Sequence, residues 1–291
     1  MGKGCRNRLL KELILTTPSC LWLGVFFVLP LVGILWLSFH SSDPWGAVAP
    51  ELTLETWKQL ATPSYPQIIF RTLWISALTT ALCILLALPC AYAMAQMGRR
   101  ARDWMTLLVV IPFWTNFLIR VFAWRVVLHP DGTLKRLLVA LHLASPDTVL
   151  LYNEWAIVLV SVYTYFPFAL IPICAAAEKF DFSLLEAARD LGARSLRAFW
   201  TVFVPCIRQG IWSAVLMVFI PALGSYVIPD LVGGPDTELI GNKIYQRTFT
   251  EKNLPNAAAL STLMTACILL CLTAWGLWTR RTSSPSNREA A

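Results

Sequence analysis

Charge is scarce in this chain: 14% of its 291 residues are charged, while 57% are hydrophobic. So few charges cannot keep that much apolar surface in water, which excludes a soluble domain of this size. Histidine is scarcer still, and His40, His129 and His142 stand far apart in the sequence. The eight cysteines form no C-x-x-C pair and no His–Cys cluster, so the usual zinc and thiol-redox spacings are missing. No G-x-x-x-x-G-K-[S/T] phosphate loop occurs. Gly241-Asn242-Lys243 lacks both the spacing and the following hydroxyl residue, so ATP would have to be handled by another chain. Ser–His–Asp, H-E-x-x-H and paired-carboxylate arrangements are lacking too, which leaves a membrane enzyme without a catalytic set. The net charge of +7 comes from basic residues scattered over four segments, a poor footprint for nucleic acid.

Long apolar runs are what the chain does have. Six stretches are long enough to cross a bilayer: Cys20–Phe39, Thr72–Gln96, Trp104–Leu128, Trp155–Ala176, Ile211–Pro229 and Ala257–Thr279. The first reads as a mature helix, because its apolar core is too long for a signal peptide and no small-residue cleavage site follows. The third is interrupted near one end by Arg120 and Arg125. Of the 24 Lys and Arg, 15 fall in the N-terminus, the loop near Arg99, the loop 177–210 and the C-terminus, against 6 in the three alternate loops. The basic side is cytoplasmic by the positive-inside rule. The expected fold is therefore an all-α integral membrane protein with six transmembrane helices and both termini cytoplasmic. A cytoplasmic segment 1–19 precedes the domain 20–279, and a tail 280–291 follows it.

The outer loops differ in character. Residues 41–66 are polar and Pro-rich, with a short helix expected around Leu54–Leu60. Leu134, Leu137, Leu138 and Leu141 fall at helical spacing opposite Lys135 and Arg136, which predicts a helix at the membrane surface capped by Thr133. The loop Val232–Asn256 is rich in Gly, Pro and polar residues. Pro30, Pro89, Pro112, Pro167, Pro172 and Pro221 interrupt spans; such prolines kink membrane helices or line cavities.

The loop between the fourth and fifth spans is polar and basic, EAARDLGARSLRAFWTVFVP from Glu186 to Pro205. Ser183-x-x-Glu186 predicts a capping box, in which Ser183 accepts from the Glu186 N–H and Glu186 reaches back to Ser183. Gly192 suits a left-handed helix stop, and a second helix begins near Ser195. Small Ala187 and Ala188, apolar Leu184, Leu185 and Leu191, and charged Arg189, Asp190, Arg194 and Arg197 suit docking of a partner. A surface helix packed on its own bundle is the competing reading of the same residues.

This segment resembles the EAA motif of permease subunits of binding-protein-dependent ATP-binding-cassette importers. That motif is E-A-A, then Gly after three residues, then nine residues of spacer and I-x-L-P. Glu186-Ala187-Ala188, Gly192 and Val202-Phe203-Val204-Pro205 match its spacing, with Val at both the Ile and the Leu positions. The resemblance implies type I importer permease architecture, with Glu186, Ala187, Ala188, Gly192 and Pro205 coupling the chain to a cytoplasmic ATPase dimer. It also implies a second permease subunit and a periplasmic substrate-binding protein as partners. No cofactor would be bound by this chain; ATP and Mg would sit on the ATPase subunits. Ile111–Asn116 (IPFWTN), Pro221–Gly224, Asp230–Gly234 and Leu239–Asn242 are similar to spermidine/putrescine permeases of the PotB and PotH type. Permeases for thiamine or iron share parts of this pattern, and a proton-coupled carrier is a further alternative. No inverted repeat between the halves favours that carrier.

For a polycation, carboxylates and aromatic faces are the fitting path groups. Trp114 and Asn116, following Pro112, and Tyr226 with Asp230 one turn on, are the candidates. Packing and interfacial anchoring is the other reading of Trp114 and Asn116, and a salt bridge holding the outer loop is that of Asp230. Arg120 reads as a structural or snorkelling charge, and Glu154 as an interfacial residue.

Overall fold

Helices make up nearly all the regular structure of this computed structural model, which describes residues 16–43, 48–60, 62, 64–143, 145 and 147–282. The expected cytoplasmic ends, 1–19 and 280–291, lie largely outside those residues. In chain order the elements are α1 (Thr16–Leu37), β1 (His40–Ser42), β2 (Val48–Leu52), α2 (Glu55–Leu60), α3 (Ser64–Gln96), α4 (Arg99–Val110), α5 (Phe117–Leu128), α6 (Thr133–Ala140), α7 (Glu154–Ala177), α8 (Ser183–Asp190), α9 (Ser195–Cys206), α10 (Arg208–Leu223), α11 (Val227–Val232), α12 (Ile240–Tyr245) and α13 (Leu254–Thr282). They form two units. One holds the described residues up to Tyr65 and those from Lys243 on, and the other is Pro66–Asn242.

In the first unit α1 is apolar on every side, and its membrane-crossing stretch has no residue buried within the chain. It packs beside α13, in which Ala257, Ala258 and Ala259 are all buried. The antiparallel pair β1–β2, which the helical periodicity did not reveal, turns the chain after α1. The buried His40 holds it there, its ring 4.2 Å from that of Trp36 and its carbonyl accepting from the Thr56 hydroxyl at 3.1 Å. The expected helix around 54–60 is α2.

The second unit is organised by side-chain pairs that fix helix direction. Arg71 meets Glu154 at 2.9 Å, Cys83 Sγ donates to the Val162 carbonyl at 3.7 Å, and Cys174 Sγ lies 3.8 Å from Met94 Sδ. Partner numbers rise together, so α3 and α7 run parallel. Arg102–Glu178 at 3.3 Å, Phe113–Phe168 at 5.5 Å and Trp124–Tyr163 at 5.3 Å run in opposite order, so the chain from α4 into α5 progresses against the direction of α7. The Tyr165 hydroxyl reaches the Pro221 carbonyl at 3.3 Å, while Gly210 lies against Pro172 and Ala176, so α10 opposes α7 as well. A Cβ on Gly210 would sit 2.4 Å from Ala176 Cβ, which is why the closest approach of α7 and α10 falls at a glycine. Thr72, Ser76, Thr79 and Thr80 of α3 and Ser161 and Thr164 of α7 are all buried. One end of this unit carries Arg102 and Glu178; the far end carries Arg71 and Glu154.

Two predicted spans are broken. Trp104–Leu128 is not one rod: Arg99–Trp114 and Phe117–Ala140 meet at 89°. Pro112, in the 3-10 turn Ile111–Trp114, supplies no N–H, Thr115 is extended, and Asn116 starts a new helix by accepting the Leu118 N–H at 2.8 Å. Ile211–Pro229 likewise stops at Leu223, and Pro229 belongs to α11. Gly241 is pressed so closely under this break that a Cβ there would lie 2.6 Å from the Ser225 carbonyl. Thr133 does not cap α6 either; Gly132 holds that position without a side-chain bond. Among the described residues three helices, Thr16–Leu37, Tyr65–Gln96 and Glu154–Ala177, are long and apolar enough to cross a bilayer unaided, and the pairs on either side of the two bends pass together.

Candidate functional site

The loop from Glu178 to Cys206 projects from the Arg102–Glu178 end of the second unit. Its first helix does not start with the expected capping box. Ser183 is already inside α8, and Asp181 Oδ1 accepts the Ser183 N–H at 3.0 Å. Hydrogen bonds from the Ser183 hydroxyl, then from its N–H, hold the Asp181 carboxyl below the usual carboxylate range. The chain turns into the helix one residue earlier than S-x-x-E implied, so the acidic residue two positions before Ser183 takes the orphan donor.

The end of α8 follows expectation closely. Gly192 has φ +86°, its N–H donates to the Arg189 carbonyl at 2.8 Å, and the Ala193 N–H reaches back to the Ala188 carbonyl at 3.0 Å. This bond pair is a Schellman stop, which needs a left-handed residue between helix and exit. α9 then starts at Ser195 and winds through a π-helical turn at Phe199–Phe203 to Pro205, before the chain bends by 74° into α10.

Burial separates two faces of this loop. Leu185, Ala198 and Phe203 are buried, and Ala188 packs against the core. The opposite face bears Leu191 (89% exposed), Leu196 (73%) and Leu184 (47%), with exposed Glu186, Ala187 and Pro205. Covering one such leucine fully yields on the order of 2 kcal/mol, so this face is worth more against a partner than in water. Five aromatic rings anchor the buried side: Tyr92 of α3, Phe180 and Phe182 before α8, and Phe199 and Phe203 of α9. Sequence reasoning missed this cluster. Its local members are visible as Phe180/Phe182 and as Phe199/Phe203 at i, i+4, but nothing local points to Tyr92.

The proposed path residues divide. Trp114 is 80% exposed beside the 89° bend, and the Asn116 side chain is occupied as the cap of α5. Tyr226 and Asp230 lie one turn apart, the Asp230 N–H donating to the Tyr226 carbonyl at 3.1 Å. Their helix, α11, packs against α5 and α7, which brings the Tyr226–Asp230 segment beside the element that Asn116 caps. The far-end position of α11 is fixed by Tyr152, whose N–H donates to the Val232 carbonyl at 2.9 Å, and by Asn242, whose amide donates to the Tyr226 carbonyl at 3.1 Å. Among the described residues the exposed Asp230 carboxylate has no ion-pair partner. Glu154 is held by Arg71. Arg120 places its guanidinium 4.6 Å from the Phe113 ring centroid, where cation–π contact substitutes for a carboxylate.

Residues 83–286 match the family of binding-protein-dependent transport system inner membrane components. The chain is 35% identical over 251 residues to the spermidine/putrescine transport system permease protein PotB of Haemophilus influenzae, covering 86% of this chain and 88% of that one. It is 32% identical over 255 residues to PotB of Escherichia coli (87% and 93%), and 32% over 272 residues to the inner membrane ABC transporter permease protein YdcU of Escherichia coli (89% and 87%). The fold is that of a chain in a bacterial ABC transporter that imports the acidic polysaccharide alginate, with a TM-score of 0.73, 18% identity, and coverage of 95% of this chain and all of that one. A second structure of an alginate transporter, in complex with an alginate pentasaccharide-bound periplasmic protein, matches with a TM-score of 0.71 and 19% identity, covering 96% of each chain.

Proposed function

The chain belongs to the family of inner-membrane components of binding-protein-dependent transport systems, and from that premise we propose that it is a permease subunit of an ATP-driven polyamine importer. The observation that carries the substrate class is the 32–35% identity, over most of the chain, to PotB proteins named for spermidine and putrescine transport. An exposed carboxylate at Asp230 beside Tyr226 fits an ammonium-bearing cargo.

The subunit has six spans, both termini and the loop 177–210 on the cytoplasmic side, and type I importer architecture. The parallel course of α3 and α7 against α4–α5 and α10 supports this alternation. The span domain is 20–279, flanked by the cytoplasmic segments 1–19 and 280–291. The partners are a cytoplasmic ATPase dimer that binds ATP and Mg, a second permease subunit, and a periplasmic binding protein that delivers the polyamine. α8 is the coupling helix: Leu184, Leu191 and Leu196 enter the ATPase surface, Glu186, Arg194 and Arg197 orient them, and the Gly192 stop and Pro205 set the angle at which the loop leaves the bundle. Closure of the ATPases on ATP moves α8 as a rigid body and opens the spans outward; hydrolysis returns them inward. Trp114, Asn116, Tyr226 and Asp230 line or border the passage.

Glu186→Lys tests the coupling role. The subunit should insert and assemble normally, while stimulation of ATP hydrolysis by the loaded binding protein is lost. Wild-type stimulation in that variant refutes the role given to α8.

A further inference from the structure

Tyr92 occupies a position that the proposed coupling role does not by itself explain. Its ring meets Phe199 at 5.3 Å and Phe203 at 5.1 Å, both edge-on, and Phe182 at 6.1 Å. Phe180 closes the cluster against Phe203 at 5.1 Å, and Phe203 is fully buried. The Tyr92 hydroxyl accepts from Arg189 Nη2 of α8 at 3.4 Å. One α3 side chain therefore touches both arms of the loop, its ring on α9 and its oxygen on α8. Close-packed rings are nearly incompressible, so a displacement of the loop is passed on rather than absorbed.

The other end of α3 is tied as firmly. Thr72, 2% exposed, donates to the Ile68 carbonyl at 2.7 Å and accepts the Ile240 N–H at 3.0 Å. Arg71 holds Glu154 of α7 beside it. The segment that Thr72 grips continues to Asn242, whose amide holds the Tyr226 carbonyl. Between Tyr92 and Thr72 runs about 30 Å of continuous helix, which holds Pro89 one turn before Tyr92.

We propose that α3 is a push-rod: Tyr92 takes up movement of the α8–α9 loop, and Thr72 delivers it to the far-end segment that positions Tyr226 and Asp230. Tyr92 and Thr72 are positioning residues and touch no substrate. This rests on the coupling role proposed for α8, and the test separates the two.

The complete transporter, in proteoliposomes with its binding protein, is assayed for ATP hydrolysed per polyamine imported. Tyr92→Leu, which removes ring and hydroxyl, raises that ratio on the order of fivefold while the ATPase rate stays within about twofold. Tyr92→Phe and Arg189→Gln each remove one hydrogen bond and raise it about twofold, and the double variant is no worse than either alone. Thr72→Val raises it from the far end. A merely structural role gives another pattern: less assembled complex, and transport and hydrolysis falling in proportion. That pattern, or an unchanged ratio in Tyr92→Phe, Arg189→Gln and Thr72→Val, overturns the push-rod. Gly192→Pro is the control. If it uncouples while the α3 variants do not, the push-rod alone fails; if it too leaves the ratio unchanged, the coupling role of the loop fails. Should Tyr92→Leu not assemble, the Tyr92→Phe, Arg189→Gln pair decides.

Discussion

Gly192 offers a graded test of the loop's geometry. At φ +86° it is left-handed, yet a Cβ added there meets nothing within 4 Å. The penalty for Ala is therefore conformational and not steric. The left-handed region costs an L-residue about 1–2 kcal/mol, offset by about 0.4–1 kcal/mol from the stiffer unfolded chain. Gly192→Ala should destabilise the capped end of α8 by about 1 kcal/mol, or roughly fivefold in the docked population. Gly192→Asn should cost less, because Asn tolerates this region. Gly192→Pro should be worst. It fixes φ near −65°, deletes the N–H given to Arg189, and disfavours the φ −78°, ψ 8° that Leu191 holds as the helix cap, at about 3 kcal/mol or more. An eight-residue helix has no reserve of its own against such a loss. The assay is ATP hydrolysis by the assembled transporter with and without loaded binding protein, and stimulation should rank Gly, Asn, Ala, Pro. Full stimulation in Gly192→Pro, or Asn falling below Ala, refutes the argument.

Gly210→Ala should destabilise by about 1–3 kcal/mol, because its Cβ would meet Ala176 Cβ and the Pro172 carbonyl, neither of which can rotate away; an unchanged thermal midpoint of the solubilised complex would contradict the close crossing of α7 and α10. Asp181 titrates below its ordinary range, so its contribution to the start of α8 is present above the unfolded carboxyl pKa and lost as pH falls through the lower folded value. Exchange of the Ser183 amide should stay protected through the ordinary carboxylate range in the wild type and lose protection at every pH in Asp181→Ala; equal protection in the two would remove Asp181 as the cap. Asp230→Asn should raise the KM for polyamine uptake about tenfold or more, as expected for one charge-assisted contact, and leave ATPase stimulation at saturating substrate intact. An unchanged KM would take Asp230 off the path.

Apolar run length made the helices legible in the sequence, and spacing made the α8 loop legible. Leu134 to Leu141, the Gly192 stop and the helix start at Ser195 all appear where periodicity and glycine placed them. The failures lie where a local rule competed with a neighbour in the chain. Asp181 displaced Ser183 as the source of the cap, and Gly132 displaced Thr133. Pro112 reads as a kink, but a right-angle bend also needed the extended Thr115 and the Asn116 cap, and hydropathy averages over both. Gly224 looked like part of a continuous span because the break depends on Gly241, seventeen residues later, fitting beneath Ser225. The Tyr92 cluster and the Arg71–Glu154 and Arg102–Glu178 pairs join residues tens of positions apart, beyond any periodicity. Asp230 was legible as a carboxylate near membrane depth, but its lack of an ion-pair partner among the described residues required the fold.

The most direct test of the central claim is uptake of radiolabelled spermidine, putrescine and thiamine. It compares cells lacking this gene with the complemented strain, in a background without another polyamine importer. Loss of spermidine or putrescine uptake alone, restored by the gene, is the expected result. Unchanged polyamine uptake, or loss confined to thiamine, would contradict it.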